Sequence, residues 1–288
     1  MLKLKVVLCR VVLLLSLTYS ISLLAEEVEI KLPNGLVATA DYRVGSPAKP
    51  TIILLHGYLQ TRNFPLIYNL SNILKEEGYS VLAPTLSLGI SRRANSLSCE
   101  AIHTHTMEED VDELSRWVDW LSAAGQKNIV LIGHSYGAIQ ILSYASVHPS
   151  AAVKKLVFIS ISDVEHKFLS PGRVDKKPAI ALAKKDKKLL GNFELGFCRE
   201  YRSPAPAYLS YMAWTQERVL KTLSAIKIPY EAIFGDGDFA VGKDWPERVR
   251  KTGAAVTIIP DATHFFEDSG AEFELSGRLL FLLKQNVN

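Results

Sequence analysis

Beyond its first 25 residues this 288-residue chain has no long unbroken apolar run, no internal repeat and no excess of either charge. Nothing in its composition points to a disordered, collagen-like or multi-span membrane protein. The formal charge of +3 comes from Lys3, Lys5 and Arg10. Setting those aside leaves 30 cations against 30 acids, so the remaining chain carries no basic excess for a nucleic-acid partner. Cysteine is also scarce, at positions 9, 99 and 198 only.

What is present begins with the early cations. They precede an apolar stretch from Val11 to Leu24, then Ala25 and the acidic pair Glu26-Glu27. Charge, apolar run and small residue in that order predict a secretory signal peptide over residues 1–25. The run ending at Ala25 is shorter than the roughly 20 residues of a spanning helix, so no stable membrane span is expected after cleavage. The mature chain, 26–288, is expected to be secreted or periplasmic and to keep only Cys99 and Cys198. The full chain is 48% hydrophobic, and the mature part is long enough to bury one sizeable core.

Val28–Leu32 and Leu36–Tyr42 read as strands joined by a Pro33-Asn34-Gly35 hairpin turn. Thr51–Leu55 is continuously apolar, as a strand buried on both faces would be. Alternation follows: a helix over Phe64–Glu77, a strand Tyr79–Ala83 stopped by Pro84, a helix Met107–Ala124, a strand Asn128–Ile132, a helix Ala138–His148 and a strand Leu156–Ser160. In the Met107 helix, Val111, Leu114, Trp117, Val118 and Leu121 recur at spacings of three and four. Residues 162–207, with four prolines, read as an irregular insertion, followed by a helix over Tyr208–Ser224. Strands at Tyr230–Gly235 and Ala255–Ile259 and helices at Trp245–Lys251 and Phe273–Lys284 complete the pattern. Strand–helix alternation predicts an α/β fold with a mainly parallel sheet covered on both faces.

The strongest chemical signal is Gly133-His134-Ser135-Tyr136-Gly137, placed between a predicted strand and a predicted helix. Projecting a hydroxyl from such a turn requires small residues two before and two after the serine. A serine hydroxyl needs a base. His264, in Asp261-Ala262-Thr263-His264, lies in a loop between the last strand and the last helix. An acid should hold its other nitrogen. Asp236 and Asp238 both follow the Tyr230 strand. Asp238 is favoured, because the first polar residue leaving a strand is expected to be spent on backbone hydrogen bonds.

His56-Gly57-Tyr58, the Ser135 pentapeptide, Gly235-Asp236-Gly237-Asp238 and His264, in the order Ser, Asp, His, resemble the α/β-hydrolase fold family over essentially the whole mature chain. That resemblance implies a parallel sheet with helices on both faces, a small lid at about 162–207, and a Ser135–Asp238–His264 triad. It implies an oxyanion hole from the backbone N–H groups of Tyr136 and Tyr58, with the His56 ring bracing the loop. The Asp-x-x-Gly-x-Gly-x-Ser loop of many relatives is replaced by Pro84-Thr85-Leu86-Ser87-Leu88-Gly89-Ile90-Ser91-Arg92-Arg93, so no subfamily is carried across. In this fold the segments bearing Cys99 and Cys198 both leave the C-terminal edge of the sheet, and in an oxidising compartment they are expected to form a disulfide.

Cys99, His103 and His105 lack a fourth ligand nearby and read as loop residues rather than a metal site; neither metal nor cofactor is expected. Phe193, Phe197, Tyr201, Tyr208, Tyr211 and Trp214 fit either an apolar substrate pocket or ordinary packing of the insertion. Lys184, Lys185, Lys187 and Lys188 read as a solvated face, with contact to an anionic membrane the lesser alternative. The function that follows is hydrolysis of a small-molecule ester or thioester by acyl transfer through Ser135. The alternatives are the same triad acting on an amide or C–C bond or as an acyltransferase, and a non-catalytic binding domain.

Overall fold

A computed structural model describes residues 25–147, 149–167 and 172–285. The predicted signal peptide lies outside these residues, apart from Ala25. Among the described residues no helix is long and apolar enough to cross a membrane.

An eight-stranded sheet organises the molecule. Its strands are β1 (Glu26–Lys31), β2 (Val37–Arg43), β3 (Thr51–Leu55), β4 (Ser80–Thr85), β5 (Ile129–His134), β6 (Val153–Ile159), β9 (Tyr230–Gly235) and β10 (Ala255–Ile259), ordered β1-β2-β4-β3-β5-β6-β9-β10. β1 pairs antiparallel with β2, and β2 antiparallel with β4; from β4 onward every pairing is parallel. The β1–β2 turn uses Gly35 at φ 87°, a conformation that glycine adopts without a Cβ clash.

The sheet is buried on both faces because its central strands are apolar at successive positions. Ile52 and Leu54 face a cluster with Leu66, Ile67, Leu70 and Leu74 of α1 (Pro65–Glu76) and Leu275, Leu279 and Leu282 of α8 (Ser269–Lys284). Ile53 and Leu55, one residue out of phase, face α2 (Met107–Ala123) and α3 (Tyr136–Val147) on the other side. The predicted α2 stripe from Val111 to Leu121 is fully on this core side. Thr106 caps that helix in a reciprocal box with Glu109, and Glu108, Glu109 and Asp110 in its first turn suit the helix dipole.

Four expectations are corrected. Pro84 does not stop β4, which runs through Thr85; β3 pairs with β4 only as far as Leu82, so the missing proline N–H falls beyond that ladder. The single helix expected over Tyr208–Ser224 is two, α5 (Ala205–Met212) and α6 (Gln216–Ala225), because the Thr215 side chain caps the Arg218 N–H and starts the second. The region expected to be irregular contains α4 (Lys177–Lys185) and an antiparallel hairpin of β7 (Leu190–Leu195) and β8 (Cys198–Pro204). α8 also begins four residues early, at Ser269, where the Asp268 side chain accepts the Gly270 N–H. The remaining helix, α7, spans Trp245–Arg250.

Candidate active site

Ser135 sits between β5 and α3 with φ 56°, a left-handed conformation rare for a non-glycine residue. Such conformations cost about 1–3 kcal/mol and persist where the surroundings over-determine them. Here the Ser135 N–H donates to the Ile159 carbonyl of β6 at 2.9 Å, and the Ser135 carbonyl accepts from the Ala138 N–H at 3.0 Å. The flanking glycines are sterically required. A Cβ on Gly133 would lie 2.7 Å from the Gly137 carbonyl group, and one on Gly137 would lie 2.4 Å from the His56 carbonyl oxygen.

The turn delivers the Ser135 hydroxyl to His264. His264 Nε2 is 2.9 Å from Ser135 Oγ, and His264 Nδ1 is 2.9 and 3.1 Å from the two carboxylate oxygens of Asp238. Ser135 and His264 are 3% and 1% exposed, and the side chains of His264 and Asp238 are equally buried. Burial alone would raise the Asp238 carboxyl. The His264 hydrogen bond and charge more than offset it, so Asp238 stays below its ordinary value and holds the carboxylate form. Its Oδ1 also accepts the Ala240 N–H at 3.0 Å, which fixes its orientation.

Asp238 is therefore the aspartate beside His264, but the reason expected for it does not hold. Asp236 is exposed, and its side chain takes no hydrogen bond from a backbone donor among the described residues. That loop is seated by Gly235, where a Cβ would fall 2.0 Å from the Ala262 carbonyl oxygen.

Tyr58 follows Gly57, whose Cβ position lies 3.3 Å from Ser135 Cβ, so the β3–α1 loop passes directly by the serine. Tyr136 is the first residue of α3, where helical N–H groups lack intrahelical partners. The two tyrosine rings pack with centroids 4.6 Å apart. Of the six aromatics of the insertion, five are buried and Phe197 is 37% exposed. Phe197 lies at the tip of the β7–β8 hairpin, 5.3 Å from the Tyr58 ring, while Tyr201 stacks 4.2 Å from His103. Packing thus accounts for most of the group. Phe239, next to Asp238, is 51% exposed with its ring 6.4 Å from His264.

Cys99 and Cys198 form a disulfide with Cα atoms 5.3 Å apart, tying the loop before α2 to the hairpin. His103 and His105 are buried. His103 Nε2 lies 3.1 Å from the Ser98 carbonyl, and His105 Nδ1 lies 2.6 Å from the Tyr211 hydroxyl and 3.3 Å from Asp110. The four lysines at 184–188 are exposed.

Sequence reasoning assigned no role to His134. Its ring is fully buried, and its Nε2 donates to the His264 carbonyl at 2.8 Å, joining the serine turn to the histidine loop across 130 residues. Burial and the nearby His264 push it down to about 3, so it is neutral. A histidine beside the serine was the available signal, but its partner lies in a loop that only folding brings near.

The fold and these distances define a class. The sequence profile described as alpha/beta hydrolase fold matches residues 50–218, and the chain belongs to that family. The structure is similar to the alpha/beta hydrolase GrgF from Penicillium sp. sh18, at TM-score 0.70 and 14% identity, covering 91% of this chain and 99% of that one. It is similar to Est1E from Butyrivibrio proteoclasticus, at TM-score 0.62 and 16% identity over 91% and 100% of the two chains. It also resembles the thioesterase domain from the curacin biosynthetic pathway, at TM-score 0.61 and 16% identity over 91% and 99%. No curated protein matches the sequence.

Proposed function

We propose that this protein is an exported serine hydrolase that cleaves a small-molecule ester or thioester by acyl transfer through Ser135. The observation that carries the reading is the continuous Asp238–His264–Ser135 hydrogen-bond chain, each link close to 3 Å. His264 Nε2 takes the hydroxyl proton as Oγ attacks the acyl carbon, and Asp238 stabilises the imidazolium that forms. The Tyr58 and Tyr136 N–H groups stabilise the oxyanion, whose collapse expels the alcohol or thiol with the proton from His264. Water, deprotonated by the same nitrogen, then attacks the acyl-enzyme and releases the acid.

The exposed rings of Phe197 and Phe239, on the Tyr58 and His264 sides of the serine, favour a substrate with an apolar group. The apolar run after Lys3, Lys5 and Arg10, together with the Cys99–Cys198 bridge, supports export to an oxidising compartment.

The test is a panel of p-nitrophenyl esters and acyl thioesters of increasing chain length, run with the wild-type protein and His264→Ala. Turnover by the wild type that collapses in the variant is expected. No turnover of any member by folded wild type contradicts the proposal.

A further inference from the structure

The loop that replaces the relatives' usual sequence after β4 ends in Arg93, a cation only 4% exposed. It belongs to no ion pair within 4 Å among the described residues; its donors go to backbone carbonyls instead. Nε donates to Leu86 at 2.6 Å, Nη1 to Asn95 at 2.9 Å, and Nη2 to Gln60 at 2.7 Å. Nη1 also lies 3.5 Å from the Leu59 carbonyl. Leu59 and Gln60 belong to the β3–α1 loop, immediately after Tyr58, and Leu59 is held at φ 55°. A buried guanidinium with its fork spread over three segments is an expensive arrangement unless the geometry it holds is needed.

The same guanidinium reaches His56, whose tautomer the surrounding groups settle. His56 Nδ1 is 2.8 Å from the Gly57 carbonyl, which only accepts, so Nδ1 carries the hydrogen. His56 Nε2 is 3.1 Å from the Leu86 N–H, which only donates, so Nε2 is bare. Arg93 Nη2, at 3.3 Å, supplies a second donor to that bare nitrogen. Meanwhile the Gly57 carbonyl receives a second donor, the Gln60 N–H at 3.2 Å. That carbonyl is part of the Gly57–Tyr58 peptide, whose N–H is the Tyr58 donor. Because the peptide is planar and trans, pinning its oxygen fixes the direction of its N–H. Two hydrogen bonds on the oxygen also polarise the N–H.

We propose that Arg93 is a positioning residue for the oxyanion hole: it holds His56 in the Nδ1–H tautomer and the Leu59 and Gln60 carbonyls in place, and so aims the Tyr58 N–H at the developing oxyanion. This rests on the hydrolase reading above. Arg93 itself touches no reacting atom. It stays charged at neutral pH, since burial, opposed by Glu113 and Asp110, lowers it only to about 10. Glu113 completes the brace from the other side by accepting the Ser87 N–H at 2.9 Å, so Leu86 and Ser87 are held from both directions.

The experiment compares mature wild type, Arg93→Gln and Arg93→Lys. For a p-nitrophenyl ester, Arg93→Gln should lower kcat on the order of 10- to 100-fold, below or at the loss of a whole oxyanion donor, with KM nearly unchanged. Its inhibition constant for a boronic acid, which presents a tetrahedral anion, should rise in parallel. Arg93→Lys keeps the charge but not the fork, and should recover part of both effects. A folded Arg93→Gln with wild-type kcat, or one in which only KM changes, overturns the proposal. So does loss of fold in both variants, which would make the role purely structural. The ¹⁵N shifts of His56 in wild type provide a readout without turnover. An Nε2–H imidazole overturns the proposal even in an active enzyme, whereas an inactive wild type that keeps Nδ1–H contradicts the hydrolase reading instead.

Discussion

Removing the Cys99–Cys198 bridge perturbs the molecule at the junction of its hairpin and its sheet. The bridge spans 99 positions, a segment that contains α2, β5, Ser135, α3, β6 and most of the insertion. In the chain-entropy treatment, cross-linking a loop of about 100 residues restricts the unfolded chain by about 4.7 kcal/mol. The native contacts that remain without it are substantial: the His103 N–H still donates to the Arg202 carbonyl at 2.8 Å, and the Ser203 hydroxyl to the His103 carbonyl at 2.8 Å. The hairpin should therefore stay docked in a Cys99→Ala/Cys198→Ala variant, and the loss should come mainly from the unfolded state. Residual structure there reduces the effect, so a loss of about 2–4 kcal/mol is expected. At roughly 2–4 °C per kcal/mol for a chain of this size, Tm should fall by on the order of 10 °C. Urea unfolding of the oxidised protein and the double variant measures it, and thiol titration of the denatured, unreduced protein shows whether the bond exists in solution. Two free thiols, or identical unfolding midpoints, would refute the reasoning.

Asp238→Asn should lower kcat by roughly 10⁴-fold, since the neutral amide no longer stabilises the imidazolium, while the exposed Asp236→Asn should do far less; a larger effect at Asp236, read from ester turnover, would reverse their roles. Stability should fall on acidification below pH 6.5. His56 and His134 are both pushed down to about 3 by burial first, so each is neutral when folded and takes up a proton on unfolding. Each contributes stability that is full above about pH 6.5 and is lost toward pH 3, at up to about 1.4 kcal/mol per pH unit. His134→Gln should flatten the stability–pH slope between pH 6 and 4 by about one such step in urea titrations; an unchanged slope would mean that His134 is charged in the fold. Mature protein should begin near Glu26 on N-terminal sequencing, and Met1 or Leu2 on membrane-embedded protein would point to a retained anchor.

The sheet could be read from sequence because its strands are short apolar runs with little room for another conformation, as in Thr51–Leu55 and Tyr230–Gly235. The serine turn could be read because its steric demand on Gly133 and Gly137 is local. The insertion could not: its hairpin is held by tertiary ties such as Cys99–Cys198 and His103–Arg202, not by a strand pattern in Leu190–Leu195. The split between α5 and α6 hung on one hydroxyl, that of Thr215, inside a stretch otherwise suited to a single helix. Pro84 misled because its effect depends on whether a neighbouring strand needs its N–H, which is a property of the sheet. Asp238 rather than Asp236 reaches His264 because the loop after β10, packed against Gly235, brings His264 there, and that contact joins segments far apart in the sequence. The contacts of His134 with His264 and of Arg93 with Gln60 escaped for the same reason: they cross 130 and 33 residues.

The central claim is that Ser135 is a nucleophile activated by His264. A fluorophosphonate probe applied to mature wild-type protein, with the labelled peptide identified by mass spectrometry, tests it most directly. Phosphonylation at Ser135, abolished in a folded Ser135→Ala and strongly slowed in His264→Ala, is the predicted result. Labelling that persists in Ser135→Ala, or a folded wild type that takes no label, would contradict it.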